Sequence, residues 1–231
     1  MVMGTGYNPR IVTDGLVLCL DAANARSYPG TGTTWTDLKG GNNGTLTNMD
    51  GANFSSDNGG VLSFDGTDER VNLGNAFSPS SGLSICVWVF FDQFASGNTI
   101  RAITEKGYDG SIEPFGLYLS NGLLQAFYYD GAIRGTSISV SSLSTLTWYN
   151  VTSTFDGSAW KIYIDGTLVA STSSSTQIQS NTEDILIGAA TINGTVSRFF
   201  DGKISNISYY NRALTADEIR QNYLATKERY A

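Results

Sequence analysis

The sequence contains no histidine. That removes Ser–His and Cys–His nucleophile pairs and every His-ligated metal centre. Only two cysteines are present, Cys19 and Cys86. Two cannot build a structural zinc site and are too few for a disulfide scaffold. Lys plus Arg number 14 against 21 Asp plus Glu, a net charge of −7 with no basic stretch. Such a chain is a poor candidate for gripping nucleic-acid phosphates. Charged residues make up only 15% of the chain, against about 25% in an average globular protein. No apolar run approaches the ~18 residues of a membrane-spanning helix. Met1–Gly6 lacks the basic region and apolar core of a signal peptide, so neither signal-directed export nor membrane insertion is expected.

Turn punctuation dominates what is there. Asp-Gly begins at Asp14, Asp50, Asp65, Asp109, Asp130, Asp156, Asp165 and Asp201, and Asn-Gly at Asn43, Asn58, Asn121 and Asn193. These pairs tolerate the positive φ of tight hairpins. Between them lie short β-rich runs, which predicts an antiparallel all-β fold. Ala159–Asp165 alternates, with Trp160, Ile162 and Ile164 on one face, and joins Trp148–Phe155 and Thr167–Ser171 as a three-strand meander. Leu117–Leu119 and Leu123–Tyr129 flank Asn121-Gly122 as a hairpin, and Leu16–Leu20 and Val61–Phe64 are further strands. Ile85–Phe91 is apolar on both parities, the pattern of a strand covered on both faces. One helix is expected near the end, where Thr215-Ala216-Asp217-Glu218 fits a capping box and Ile219, Tyr223 and Leu224 share a face. Ser171–Ser180 reads as a solvated loop. With 231 residues and 12% aromatics, a single sandwich can bury a sufficient core without staples. Residues 14–231 form that domain. Residues 1–13, Gly- and Pro-containing and without alternation, form an arm that either anchors to another chain through Tyr7, Pro9 and Arg10 or packs on its own domain.

Four segments carry a family resemblance: Gly15–Asn24; Leu62–Val71 with Asp65-Gly66; Trp148–Phe155 followed by Asp156-Gly157 and Trp160–Gly166; and Ile187-Gly188, Phe200–Ile204 and Tyr210–Thr215 ahead of Glu218-Ile219. Together they resemble a laminin-G-type, concanavalin A-like jelly roll over roughly residues 14–224. The resemblance implies a two-sheet antiparallel sandwich with a short C-terminal helix. It leaves function open, because the superfamily spans lectins, pentraxins, adhesion modules and glycosidases. With Pro9–Gly15, Ser27–Gly30 and Thr34–Leu38 added, the chain is similar to single-domain proteins of tailed bacteriophages. That version implies a virion surface component, either capsid decoration or a head- or tail-fibre element.

Candidate chemistry is sparse. The related hydrolases use a Glu-x-Asp-x-x-Glu pattern, and the six glutamates, Glu69, Glu105, Glu113, Glu183, Glu218 and Glu228, never recur at that spacing. No catalytic residue is assigned, and Asp68-Glu69 is read as loop chemistry. Calcium-binding relatives draw oxygens from two loops. One corresponds to Lys106–Ser111, and the other to Ala189-Ala190-Thr191, whose alanines offer none. No metal or cofactor is expected. Four aromatic doublets, Phe90-Phe91, Tyr128-Tyr129, Phe199-Phe200 and Tyr209-Tyr210, must point one ring to each face of a strand. Tyr129 and Tyr209 are therefore the candidate contact residues, able to stack on sugars or anchor a partner. Cys19 and Cys86 sit at apolar strand positions and read as buried free thiols, with a disulfide open only if their strands adjoin.

The function these features predict is non-enzymatic: a virion structural protein at the virion surface, assembled in the host cytoplasm. It would be held to other capsid or tail proteins partly by residues 1–13 and display a sandwich that adheres to host-surface polysaccharide. Homo-oligomerisation is left open, and nucleic acid is not an expected partner. The alternative is a free carbohydrate-binding lectin module, and the third choice a glycoside hydrolase.

Overall fold

The structure is a computed structural model that describes residues 9–79, 81–97 and 99–231. In chain order, the first strands are β1 (Leu16–Asp21), β2 (Thr34–Trp35), β3 (Gly44–Thr47), β4 (Phe54–Ser55), β5 (Val61–Asp65) and β6 (Arg70–Asn72). The middle of the chain supplies β7 (Leu83–Phe91), β8 (Ile100–Lys106), β9 (Glu113–Ser120), β10 (Leu123–Tyr129), β11 (Ile133–Ser139), β12 (Trp148–Phe155), β13 (Ala159–Ile164) and β14 (Thr167–Ser173). The last strands are β15 (Ile185–Ile187), β16 (Ala190–Ile192), β17 (Thr195–Ser197) and β18 (Asp201–Tyr210), followed by helix α1 (Ala216–Thr226).

The strands form two large antiparallel sheets and one small hairpin. The first sheet runs β14-β13-β12-β7-β18-β5-β4, with β1 also on β18. One edge of β18 pairs with β7, and the other is divided between β5 at Asp201–Ile204 and β1 at Asn206–Tyr210. The second sheet runs β11-β10-β9-β8-β15-β6-β3-β2, and β16 and β17 form a separate two-stranded hairpin. Hairpin chemistry follows the turn pairs. Asn121 and Gly122, between β9 and β10, take φ of 50° and 71°, and Asn193 and Gly194, between β16 and β17, take 50° and 75°.

Alternation drives the two sheets together. Leu83, Ile85, Val87, Val89 and Phe91 of β7 face Phe115, Leu117 and Leu119 of β9 in one core that also encloses Trp35 and Trp160. The other parity of β7 is covered as well. Cys86 lies in a second cluster with Tyr210, Leu214 and Ile219, and Trp88 stacks on Tyr230 with ring centroids 3.9 Å apart. The outer face of the first sheet is therefore roofed by α1 and the residues after it. The roof is fixed at its start by the expected capping box: Glu218 N–H donates to Thr215 Oγ1 at 3.3 Å, and Thr215 N–H to Glu218 Oε2 at 2.9 Å. Arg212, paired with Glu218 at 2.6 Å, holds that carboxyl down at about 2.

The described part of the N-terminal segment belongs to this roof. Val12 is buried among Leu16, Tyr210 and Ile219. Its N–H donates to Asn222 Oδ1 at 2.8 Å, and its carbonyl accepts from Tyr210 OH at 2.9 Å. Arg10 contributes its carbonyl to Gln221 Nε2. Of the two expectations for residues 1–13, the described part shows packing on the domain itself: Arg10–Val12 docks through backbone-to-side-chain hydrogen bonds that span about two hundred positions of sequence. The Pro9 and Arg10 side chains are exposed, and Tyr7 lies outside the described residues.

Cys19 and Cys86 are both buried and unbridged. Both are paired with Ser208, from opposite edges of β18, so their backbones are two inter-strand spacings apart, about 10 Å. A disulfide requires Cα atoms within about 7 Å. Burial pushes both thiols up to about 11. Unreduced native protein should therefore resist alkylation, and denatured protein should take up two labels by intact mass; one linked pair would contradict the topology. Asn222 ties Val12 to Tyr210, donating to the tyrosine oxygen at 3.0 Å. Asn222→Ala should cost about 1–3 kcal/mol, read by urea unfolding, and should expose the N-terminal segment to limited proteolysis.

Candidate functional site

The two sheets differ on their outer faces. Among the described residues, no helix covers the second sheet. Its outward side chains include Ala102 of β8, Tyr118 of β9 and Phe127 of β10, which cluster with Ala190 of β16. The β16–β17 hairpin lies beside them, joined through the parallel bridge between Tyr108 and Ile192. This partial cover leaves a pocket of about 310 Å³ lined by Ile100, Tyr108, Glu113, Tyr118, Phe127, Tyr129, Ile133, Ile192 and Arg198.

Aromatic rings form its walls. Tyr108 and Tyr129 meet edge to face with centroids 5.7 Å apart, as do Tyr118 and Phe127 at 4.6 Å. Phe127 reaches over β9 only because residue 116 is glycine: a Cβ there would fall 2.2 Å from the ring. Burial, reinforced by the charges of Glu113 and Glu105, pushes Tyr118 up to about 12.

A charged cluster sits against these rings. Arg198 Nη1 donates to Glu105 Oε1 at 2.5 Å and to Glu113 Oε1 at 3.0 Å. Its guanidinium lies 5.8 Å from the centre of the Tyr118 ring. Glu105 is fully buried, and its Oε2 has no hydrogen-bond partner. Burial first, and Glu113 beside it second, raise Glu105 well above the ordinary carboxyl range. Two carboxyls crowded on one cation favour the protonated form of the more deeply buried one. Arg198 itself has φ 58°, in the left-handed region that costs a residue with a Cβ about 1–2 kcal/mol. Its two ion pairs and the 2.7 Å bond from Ala102 N–H to its carbonyl hold it there. Strain of this kind concentrates at functional sites.

Of the residues singled out from the sequence, Tyr129 lines the pocket. Tyr209 does not, and its expected place on a contact surface is corrected: it is 1% exposed, packs against Phe115 and Phe77 between the sheets, and hydrogen-bonds Thr104 Oγ1. The doublet does send one ring each way, but the outward one, Tyr210, lies under the roof of α1. The loops compared with calcium sites behave as turns. Asp109 Oδ1 accepts from the Ser111 and Ile112 N–H groups, and Tyr108 N–H donates to the Thr191 carbonyl. Lys106 places its ammonium on Asn75 Oδ1 and the Glu183 carbonyl, and burial draws it down to about 8. Among the described residues, no three His, Cys, Asp or Glu side chains are grouped to hold a metal.

The Glu105–Glu113–Arg198 cluster was not anticipated. A within-strand carboxylate spacing cannot find it, because Glu105 is the penultimate residue of β8 while Glu113 begins β9 across the 107–112 turn. The available signal was slight: Glu105 lies in a strand whose neighbours Ala102, Ile103 and Thr104 are all buried, where charge demands a partner.

Folding raises the Glu105 carboxyl well above 4.5, the value near which it ionises in the unfolded chain. Because the folded value is the higher one, the carboxyl's contribution to stability falls as pH rises from that unfolded value towards the folded one, and levels off beyond it. Glu105→Gln removes this fall. Unfolding free energies measured from about pH 4 to about pH 8 should show the variant gaining on wild type as pH rises; parallel curves would mean an ionised Glu105.

The model of the Concanavalin A-like lectin/glucanases superfamily matches residues 65–220. Among solved structures, a Trypanosoma rangeli sialidase in complex with the inhibitor DANA superimposes with TM-score 0.67 at 17% identity, covering 98% of this chain and 36% of that one. Domain 4 of AbnA, a GH43 extracellular arabinanase from Geobacillus stearothermophilus, in complex with arabinotriose, superimposes with TM-score 0.64 at 20% identity, covering 91% of this chain and 98% of that one. This chain thus spans about a third of the sialidase and nearly the whole of the arabinanase domain. No curated protein matches the sequence. These neighbours overturn the expectation of a virion structural protein, since they are a sialidase and the arabinotriose-bound domain of an arabinanase. At such identities the likeness establishes the fold, and the family follows from the sequence match over residues 65–220: the chain belongs to the Concanavalin A-like lectin/glucanases superfamily.

Proposed function

We propose that this domain is a glycan-binding module without catalytic activity, and that the Tyr108–Tyr129–Arg198 pocket is its site. The observation that carries this reading is the combination of aromatic walls with one donor and one acceptor, Arg198 and Glu113, on the lining of a single concavity. Sugar rings present apolar C–H faces that pack on aromatic rings, and hydroxyls that need oriented polar partners. A pocket of about 310 Å³ lies at the small end of ligand sites, which run from about 300 to 1,000 Å³. It suits a short saccharide. The arabinotriose-bound neighbour supports the same reading.

The carboxylates argue against hydrolysis. A retaining glycosidase sets two carboxyls about 5–5.5 Å apart on either side of the scissile bond. Here both reach the same guanidinium nitrogen, and Glu105 is wholly buried. A sugar cannot pass between them.

Tyr129→Ala leaves the inter-sheet core intact, because Tyr129 is outside it. Isothermal titration against a panel of oligosaccharides should show binding by wild type and a loss of about tenfold or more, ~1.4 kcal/mol, in the variant. Unchanged affinity would exclude the pocket, and release of reducing ends from any bound polysaccharide would exclude the non-catalytic reading.

A further inference from the structure

If the pocket binds saccharide, its charge arrangement also says which kind. Both carboxyls use one nitrogen of Arg198, Nη1. The Nε and Nη2 donors of the same guanidinium have no partner among the described residues, and Arg198 keeps 21% of its side chain exposed at the pocket. Glu113, beside it, is an acceptor on the same lining. Arg198 is already paired with Glu105 and Glu113, so the lining carries no unbalanced positive charge, and the rest of it is tyrosine, phenylalanine and isoleucine.

A sugar carboxylate would fit this site badly. It could accept from the Arg198 fork, but it would bring a second negative charge against Glu113, among apolar walls where an unbalanced charge is costly. A pair of neighbouring hydroxyls meets both partners: one oxygen accepts from Arg198 and the other O–H donates to Glu113. No charge is added. We propose that the pocket selects neutral saccharides through a vicinal diol held between Arg198 and Glu113, and rejects uronic and sialic acid residues.

This inference rests on the glycan-binding reading, so the experiment separates the two. Wild type, Glu113→Gln and Tyr129→Ala are titrated with neutral arabinotriose, xylotriose and cellotriose, with trigalacturonate and its methyl ester, and with 3′-sialyllactose. Wild type should bind at least one neutral sugar tenfold or more tighter than either acidic one, and Tyr129→Ala should weaken that binding. Glu113→Gln keeps an acceptor but removes the charge; it should narrow the gap by raising affinity for the acidic sugars. Tyr129-dependent binding of trigalacturonate or sialyllactose as tight as any neutral sugar overturns the selectivity and leaves the glycan-binding reading standing. Absence of any Tyr129-dependent saccharide binding overturns both. Should Glu113→Gln fail to fold, the wild-type comparison alone decides.

Discussion

Every strand in a two-sheet sandwich has an inward and an outward face, and burying only the inward one leaves the outward side chains to be dealt with separately. The core between the sheets follows from alternation: Val87, Val89 and Phe91 of β7 close on Phe115 and Leu117 of β9 without help from disulfides. The two outer faces are then treated differently. The first is roofed by α1 and by Val12, which bury Cys86 and Tyr210. The second is shielded only in part by the β16–β17 hairpin, and the pocket is what that incomplete cover leaves.

The same asymmetry sets the electrostatics. Under the roof, the polar groups of Asn222, Tyr210 and Val12 satisfy one another. At the pocket, two carboxyls compete for one nitrogen of Arg198, and burial together with Glu113 raises the Glu105 carboxyl well above its ordinary value. Burial raises the cost of charge, which is why the two carboxyls are drawn onto the one guanidinium beside them. Glu105 and Glu113 thus sit on one side of a single guanidinium rather than apart across the pocket.

How much of this was legible depends on the range of the interaction. The hairpin at Asn121-Gly122, the meander read over 148–171 and the capping box at Thr215 are local, and each stands where its residues put it, the last meander strand running on to Ser173. The doublets were legible as a rule but not as an outcome. Tyr128-Tyr129 and Tyr209-Tyr210 each send one ring outward, yet Tyr129 reaches a pocket while Tyr210 is covered and Tyr209 faces the core. Strand parity is written in the sequence; the element packed over each face is not. The bacteriophage-like resemblance of the N-terminal stretch pointed to a virion component, and the solved neighbours, a sialidase and an arabinanase domain, corrected it.

What the amino-acid sequence determined alone was the sandwich. Periodicity of two, turn pairs and a capping box act over a few residues, so their consequences are readable in order along the chain. What only the tertiary structure decided was the site. Glu105, Glu113 and Arg198 come from β8, β9 and the segment after β17, and their meeting depends on register between strands and on where one small hairpin folds. No spacing rule encodes that meeting, because the energy that makes it, burial of charge against charge, exists only once the sheets have closed.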